Sequence, residues 1–165
     1  MWSKWKLNGP VWAGIASGIL LGLFLKVIEH ITSLEVYTLL LNVDYVPVLK
    51  EMKLSEPIEF ALHLVISVLL SIALAVFLKQ KNWSRGRSLS WVTLVCLTVG
   101  LLLYPTTVLS VHTPELSDFA ALLFWLAGHL LYGIALGWLL ISSRGASAKI
   151  GKAVMRKRRL WINAK

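Results

Sequence analysis

The ionisable side chains that could do chemistry in this sequence lie within or at the ends of long apolar stretches. Glu59 and His63 stand four residues apart in one stretch, His129 lies in the middle of another, and Lys26 stands near the end of a third. Residues four apart share one face of an α-helix, so Glu59 and His63 would point in the same direction. Polar side chains in such helices face the interior of a bundle, because lipid cannot solvate them. We therefore expect these residues to meet in a polar cavity.

Other polar residues would border the same cavity if the helices bring these faces together. The residues that we assign to the cavity or to an ion pathway through it are Lys26, Glu29, His30, Glu59, His63, Tyr104, His129 and Tyr132. Three interpretations stay open: a proton or ion pathway, a metal site of imidazole and carboxylate ligands, and hydrogen bonds between helices. The spacing matches no recognised metal-ligand motif, so we predict neither a metal ion nor another cofactor.

The sequence offers little support for catalysis. It contains no G-x-S-x-G, no H-E-x-x-H and no phosphate-binding glycine loop before a lysine. Ser67 and Ser71 share the face of His63, but serine in an apolar helix more often bonds a neighbouring helix than acts as a nucleophile. We predict no catalytic residue and no enzymatic activity, and a membrane-embedded enzyme acting on lipid is the weakest alternative.

Small residues recur every fourth position in the same apolar stretches. The first stretch contains the longest row of glycines, and shorter rows occur in the other three. The residues that we assign to helix packing are Gly14, Gly18, Gly22, Ser67, Ser71, Gly100, Gly133 and Gly137. Small residues at this spacing let two helices approach closely, either within one chain or between chains.

The composition predicts an all-α, polytopic integral membrane protein. Apolar residues make up 57 % of the 165 residues, the mean hydropathy is +0.72, and only 15 % of residues are charged. Four apolar stretches, at about 10–31, 58–78, 89–109 and 119–141, are each long enough to span a bilayer, which takes roughly 20 helical residues. We expect one antiparallel four-helix domain over residues 1–143, followed by a basic tail at 144–165.

The loops carry charges that predict an orientation. Four basic and no acidic residues lie at 79–88, whereas the loop at 110–118 has Glu115 and Asp118 and no lysine or arginine. By the positive-inside rule, both termini and the middle loop are cytoplasmic in a multi-pass protein of the cell membrane. The long outer loop contains an apolar segment at 34–49, which is too short to span. We expect it to be partly helical and to lie on the outer interface or to fold back over the bundle.

The basic tail predicts contact with a membrane surface. Its net positive charge accompanies apolar residues such as Ile150, Val154 and Trp161. The residues that we assign to anionic lipid headgroups are Lys152, Arg156, Lys157, Arg158 and Arg159. Each basic residue near such a surface contributes about 1 kcal/mol of attraction. Nucleic acid is a disfavoured partner, because basic stretches after a last apolar helix commonly serve as anchors.

The pattern resembles the small bacterial inner-membrane proteins of the YagU type and, in layout, those of the YqhR type. The matching features run over about 9–140. They are Gly14 and Gly18 leading to Lys26 and Glu29, His63 near a helix start, Tyr104-Pro105, and the stretch from Glu115 to Gly128-His129. The resemblance implies a four-helix bacterial membrane protein and would mark Lys26, Glu29, His63 and His129. It implies little about activity.

The sequence therefore leads to two functional hypotheses. The first is a non-enzymatic membrane protein that works as a homo-oligomer or as the subunit of a membrane protein partner, with glycine faces as contact surfaces and an outward-facing polar cavity. The second is a small transporter or channel for a proton, a metal ion or a small solute through that cavity.

Overall fold

The described part of the chain is built from helices. The computed structural model describes residues 8–43, 54–110 and 112–163, with side chains described as far as Ser143. The helices are α1 (Asn8–Thr32), α2 (Val36–Leu41), α3 (Glu56–Lys79), α4 (Arg85–Leu103), a 3-10 helix (Tyr104–Leu109) and α5 (Phe119–Asn163). Over these ranges the structure contains no β-strand, which agrees with the predicted all-α class.

Four helical segments are long and apolar enough to cross a membrane. They are Asn8–Thr32, Glu56–Lys79, Arg85–Leu109 and Phe119–Ser143. Each contains one of the four stretches predicted from the sequence and extends it by no more than four residues at either end.

Local sequence explains where several helices begin and end. Pro57 occupies the first turn of α3, where the missing N–H has no helical partner to lose. Ser84 and Asp118 accept hydrogen bonds at the starts of α4 and α5, from the amides of Arg87 at 3.3 Å and Ala121 at 2.9 Å. Pro105 lies at the point where α4 changes into the 3-10 helix, because proline cannot continue the α-helical hydrogen-bond ladder.

The helices do not pack in chain order. α1 packs against both α3 and α5, and α5 packs against α4, whereas α3 makes few contacts with α4 or α5. The buried side chains between them include Leu21 and Leu25 of α1, Leu78 of α3, Val92 of α4 and Leu136 of α5. α1 and α5 therefore form the centre, with α3 and α4 on either side.

The outward faces of the same helices remain apolar. Leu23 of α1, Leu69 of α3, Leu94 of α4 and Leu123 of α5 are each more than half exposed. Such a continuous apolar exterior is unusual for a chain surrounded by water.

α2 packs against the C-terminal end of α1, the helix that precedes it in the chain. Ser33 takes a φ of 60°, which ends α1 and turns the chain back. Glu29 then accepts hydrogen bonds from the Tyr37 amide at 2.7 Å and the Thr38 amide at 2.9 Å, in the first turn of α2. The helical part of the predicted outer loop thus lies over the ends of the long helices, and we call this side the α2 end. The remainder of the predicted segment, from residue 44 to 49, lies outside the described residues.

α5 is longer than the predicted fourth segment. The sequence analysis ends that segment at 141 and treats 144–165 as a separate tail, but the helix continues without interruption to Asn163. Residues 144–163 are rich in alanine, lysine and arginine, which favour helix, and contain no proline. The five tail residues assigned to lipid headgroups have side chains outside the described part of the structure.

Candidate binding pocket between α3 and α4

α3 and α4 follow one another in the chain but separate over most of their length. They meet at the end opposite α2, where the rings of Phe77 and Trp91 stack at 4.3 Å. Trp83, in the connecting loop, packs edge-on against both rings, at 5.8 Å and 5.7 Å. This aromatic cluster closes one end of the gap between the two helices, and the gap widens toward α2.

The gap contains a pocket of about 90 Å³, which we call the α3–α4 pocket. α3 and α4 form its sides, α5 forms its back and α2 covers it. Its polar lining residues are Asn42, Glu59, His63, Ser67, Thr106, Trp125, His129 and Tyr132. The rest of the lining is mostly aliphatic, and it includes Cys96, a buried free thiol.

His129 is almost completely buried at the back of the pocket. Its side chain is 4 % exposed, and its Nδ1 lies 3.0 Å from the carbonyl oxygen of Trp125, one helical turn earlier. Gly100 of α4 makes room for the ring, since a Cβ atom at position 100 would lie 2.5 Å from the His129 Cγ. The Trp125 indole N–H donates to the Gly100 carbonyl at 2.8 Å, and this bond fixes the indole ring beside His129.

His63 belongs to α3 and lines one side of the pocket. Its Nε2 is 3.3 Å from the carbonyl oxygen of Gly18 in α1, and its ring packs against Phe60 at a centroid distance of 5.9 Å. The imidazole is half-buried and lines the pocket. His63 and His129 thus line the same pocket from different helices.

A chain of hydrogen bonds through two hydroxyls joins α1, α3 and α5 beside the pocket. Ser67 Oγ donates to the Gly14 carbonyl at 2.7 Å and lies 3.0 Å from the Tyr132 hydroxyl. A serine hydroxyl has one proton, so Tyr132 must donate to Ser67. The proton of each hydroxyl is thus used within the protein.

A second pocket, of about 600 Å³, lies at the α2 end. It is lined by residues of α1, α2 and α3 together with Ser110 and His112, and we call it the α2-end pocket. Lys26 pairs with Glu56, whose carboxylate also accepts from the Tyr37 hydroxyl at 3.0 Å. Burial and the hydrogen bond to Glu56 raise the pKa of Tyr37 to about 12. The charges at this end therefore help to hold α2 in place.

The residues that the sequence analysis assigned to one cavity are divided between these two pockets. Lys26, Glu29 and His30 line the α2-end pocket, whereas His63, His129 and Tyr132 line the α3–α4 pocket. Glu59 borders both. Tyr104 lines neither, because its hydroxyl donates to the carbonyl oxygens of Asp118 at 2.9 Å and Glu115 at 3.3 Å.

The residues assigned to helix packing lie between helices of the same chain. A Cβ atom at Gly14, Gly18 or Gly22 would meet α3 at 2.7, 2.9 or 2.3 Å. Ser71 donates across the same contact to the Pro10 carbonyl at 2.7 Å. Gly133 and Gly137 make the corresponding close approach of α5 to α4, at Thr93 and Leu89. These rows are therefore occupied by contacts within the chain.

Several residues that line the pocket were not predicted from the sequence. Trp125 belongs to the same four-residue row as His129, which was the available signal for it. Cys96 shares a four-residue row with Gly100 and Tyr104, whereas the α2 residues Leu39 and Leu40 had no such signal, because ordinary apolar side chains do not indicate a pocket.

The described residues bring together no group of three histidine, cysteine, aspartate or glutamate side chains that could hold a metal ion. The arrangement is instead that of a mostly apolar pocket with a few fixed polar groups, which is typical of a site for a small organic ligand.

Comparisons with protein-family models, with curated proteins and with solved structures found no match to this chain.

Proposed function

We propose that this chain is an antiparallel four-helix integral membrane protein that binds a lipid-like molecule in the α3–α4 pocket, without catalysis. The observation that carries the proposal is the combination of a few fixed polar groups inside the pocket with an apolar mouth. Ile66 and Leu103 line the pocket and are 55 % and 39 % exposed, so the pocket opens on the apolar exterior. A ligand would then enter sideways from the bilayer, with its polar end toward His63 and His129.

The proposed orientation places both termini in the cytoplasm of the cell and α2 on the outer side. The basic loop between α3 and α4 and the basic residues of 144–165 support it, since lysine and arginine accumulate on the cytoplasmic side. The tail residues would then contact anionic headgroups of the inner leaflet.

Ligand binding is better supported than passage of an ion through Lys26, His63 and His129. Lys26 is engaged by Glu56, and Glu29 accepts bonds from α2, so both residues help to hold the α2 end together. Conduction also needs binding groups arranged along a continuous route. The predicted residues instead form two pockets that adjoin at Glu59.

Assembly with another copy or with a partner subunit would need a surface other than the glycine rows. Those rows are the close contacts of α1 with α3 and of α5 with α4. The proposal therefore treats the single chain as the binding unit, and any partner would contact its outward apolar faces.

The test uses the full chain in lipid nanodiscs with a photoreactive diazirine on the acyl chain of a lipid probe. We expect cross-links to residues of the α3–α4 pocket. Val99→Trp should abolish them, because Val99 lines the pocket and the larger ring would fill it. Leu94→Trp is the matched control, since Leu94 lies on the exposed face of the same helix.

Equal cross-linking of the two variants would overturn the proposal, as would cross-links spread evenly over the apolar exterior. Ile66→Trp, at the mouth of the pocket, provides a second blocking variant if Val99→Trp does not fold.

A further inference from the structure

The hydrogen bonds of the two histidines determine what each ring offers to the pocket. A carbonyl oxygen only accepts, so His129 must donate through Nδ1 to Trp125 and His63 must donate through Nε2 to Gly18. A neutral imidazole that donates through one nitrogen accepts through the other. His129 therefore offers Nε2 as an acceptor, and His63 offers Nδ1.

Most of the hydroxyl and N–H donors in the pocket are engaged within the protein, and the Asn42 amide, which also lines the pocket, can both donate and accept. The Ser67 proton goes to Gly14, the Tyr132 proton goes to Ser67, and the Trp125 N–H goes to Gly100. Glu59, at the border with the α2-end pocket, adds a carboxylate, which accepts hydrogen bonds when ionised. The free nitrogens of the two imidazoles are thus hydrogen-bond acceptors, and they suit a ligand that donates.

We infer that the α3–α4 pocket recognises the free hydroxyl group of a neutral lipid. The inference rests on the proposed function and specifies the ligand class of the same site. A hydroxyl donates one proton to an imidazole nitrogen, and it carries no charge that Glu59 would repel. An ionised fatty acid has no donor, and a phosphate headgroup would meet the Glu59 carboxylate.

The size of the pocket limits how much of such a lipid it can hold. Its volume of about 90 Å³ is smaller than the roughly 150 Å³ cavity that holds one benzene molecule. Only the hydroxyl end and the first few carbons would fit. The remaining chain would leave between Ile66 and Leu103 into the bilayer. A long-chain alcohol and a diacylglycerol both present this chemistry.

The experiment compares matched competitors against the photoreactive lipid probe in nanodiscs containing the full chain. The competitors are a long-chain alcohol, its methyl ether, the fatty acid of equal length, a diacylglycerol and its methyl ether. We expect each free hydroxyl to compete about threefold to tenfold better than its ether, as one hydrogen bond would provide. Whichever of the long-chain alcohol and the diacylglycerol competes more strongly would identify the class of lipid that the pocket binds.

Variants of the two histidines test whether their imidazoles cause the preference for a free hydroxyl over its methyl ether. His129→Leu should reduce the preference for alcohol over ether to about one, while the photoreactive probe still cross-links. His63→Leu is the second variant if His129→Leu does not fold. His112→Leu, an exposed histidine at the α2 end, should leave the preference unchanged.

The outcomes separate this inference from the proposed function. Equal competition by alcohol and ether would overturn the hydroxyl inference and leave lipid binding intact. Stronger competition by the ionised fatty acid would also overturn it, because a carboxylate has no proton to donate to an imidazole nitrogen. Absence of any specific cross-link would instead refute the proposed function itself.

Discussion

The hydroxyl of Ser67 donates to the backbone carbonyl of Gly14 at 2.7 Å. So direct a bond between two helices requires their backbones to be almost in contact. A Cβ atom at position 14 would lie 2.7 Å from the Cα of Val68, which is closer than real Cβ contacts come. Gly14 is therefore required by the distance between α1 and α3, and not by its own backbone conformation.

Gly14→Ala should lower the free energy of unfolding by about 1–3 kcal/mol, the usual cost of overpacking a close contact. Unfolding can be followed in detergent by the thermal exposure of Cys96, the buried free thiol, to a thiol-reactive fluorophore. Gly86→Ala is the matched control, because a Cβ atom there meets nothing within 4 Å. A variant at position 14 as stable as this control would show that the two helices pack less closely than described.

The hydroxyl chain from Gly14 through Ser67 to Tyr132 joins α1, α3 and α5. Ser67→Ala and Tyr132→Phe each remove one side of the 3.0 Å bond, so a double-mutant cycle isolates it. Hydrogen bonds between membrane helices average about 0.6 kcal/mol and reach about 1.7 kcal/mol. We expect a coupling free energy in this range from unfolding in detergent. Fully additive single effects would mean that the two hydroxyls do not interact.

The four apolar segments could be predicted from the sequence because each is a long run of apolar residues with helix-start signals. Which of these helices pack against one another could not be predicted from the sequence. Rows of small residues occur in all four long helices, and a row shows only that some helix comes close. The structure places α1 and α5 in the centre, with α3 and α4 on either side, and the spacing within each row did not specify this arrangement.

The division of the predicted cavity into two pockets has a physical reason that the spacing did not contain. We expected Lys26 and His63 to share one cavity, but Lys26 pairs with Glu56, at the first turn of α3. α2 then covers the α3–α4 pocket with Leu39 and Leu40. A six-residue apolar helix inside a loop is too short for its packing partner to be read from periodicity.

Glu29 fastens α2 to α1 through three hydrogen bonds, from the amides of Tyr37 and Thr38 and from the Thr38 hydroxyl at 2.9 Å. Glu29→Ala should leave both amides without an acceptor. We expect amide hydrogen exchange in the segment 36–41 to accelerate at least tenfold, with little change in the long helices. Glu35→Ala is the control, since Glu35 is exposed at the start of α2. Unchanged exchange in Glu29→Ala would show that packing alone holds α2.

Tyr37 links the attachment of α2 to pH. Its pKa is raised from 10.0 to about 12 by burial and by the hydrogen bond to Glu56, with smaller contributions from the charges of Glu56, Glu29 and Glu59. A raised pKa means that the folded state favours the neutral phenol. This contribution to stability is complete below pH 10, and it is lost as the pH rises from 10 through about 12.

The tyrosinate absorbance of the full chain, minus that of Tyr37→Phe, isolates this titration from the other three tyrosines. We expect the difference to have its midpoint near pH 12 and to coincide with faster amide exchange in α2. Tyr37→Phe should remove that part of the exchange response, because phenylalanine has no proton to lose. A midpoint near pH 10 would indicate that the Tyr37 hydroxyl is solvated and does not bond Glu56. The pH response of α2 would then have to come from another group.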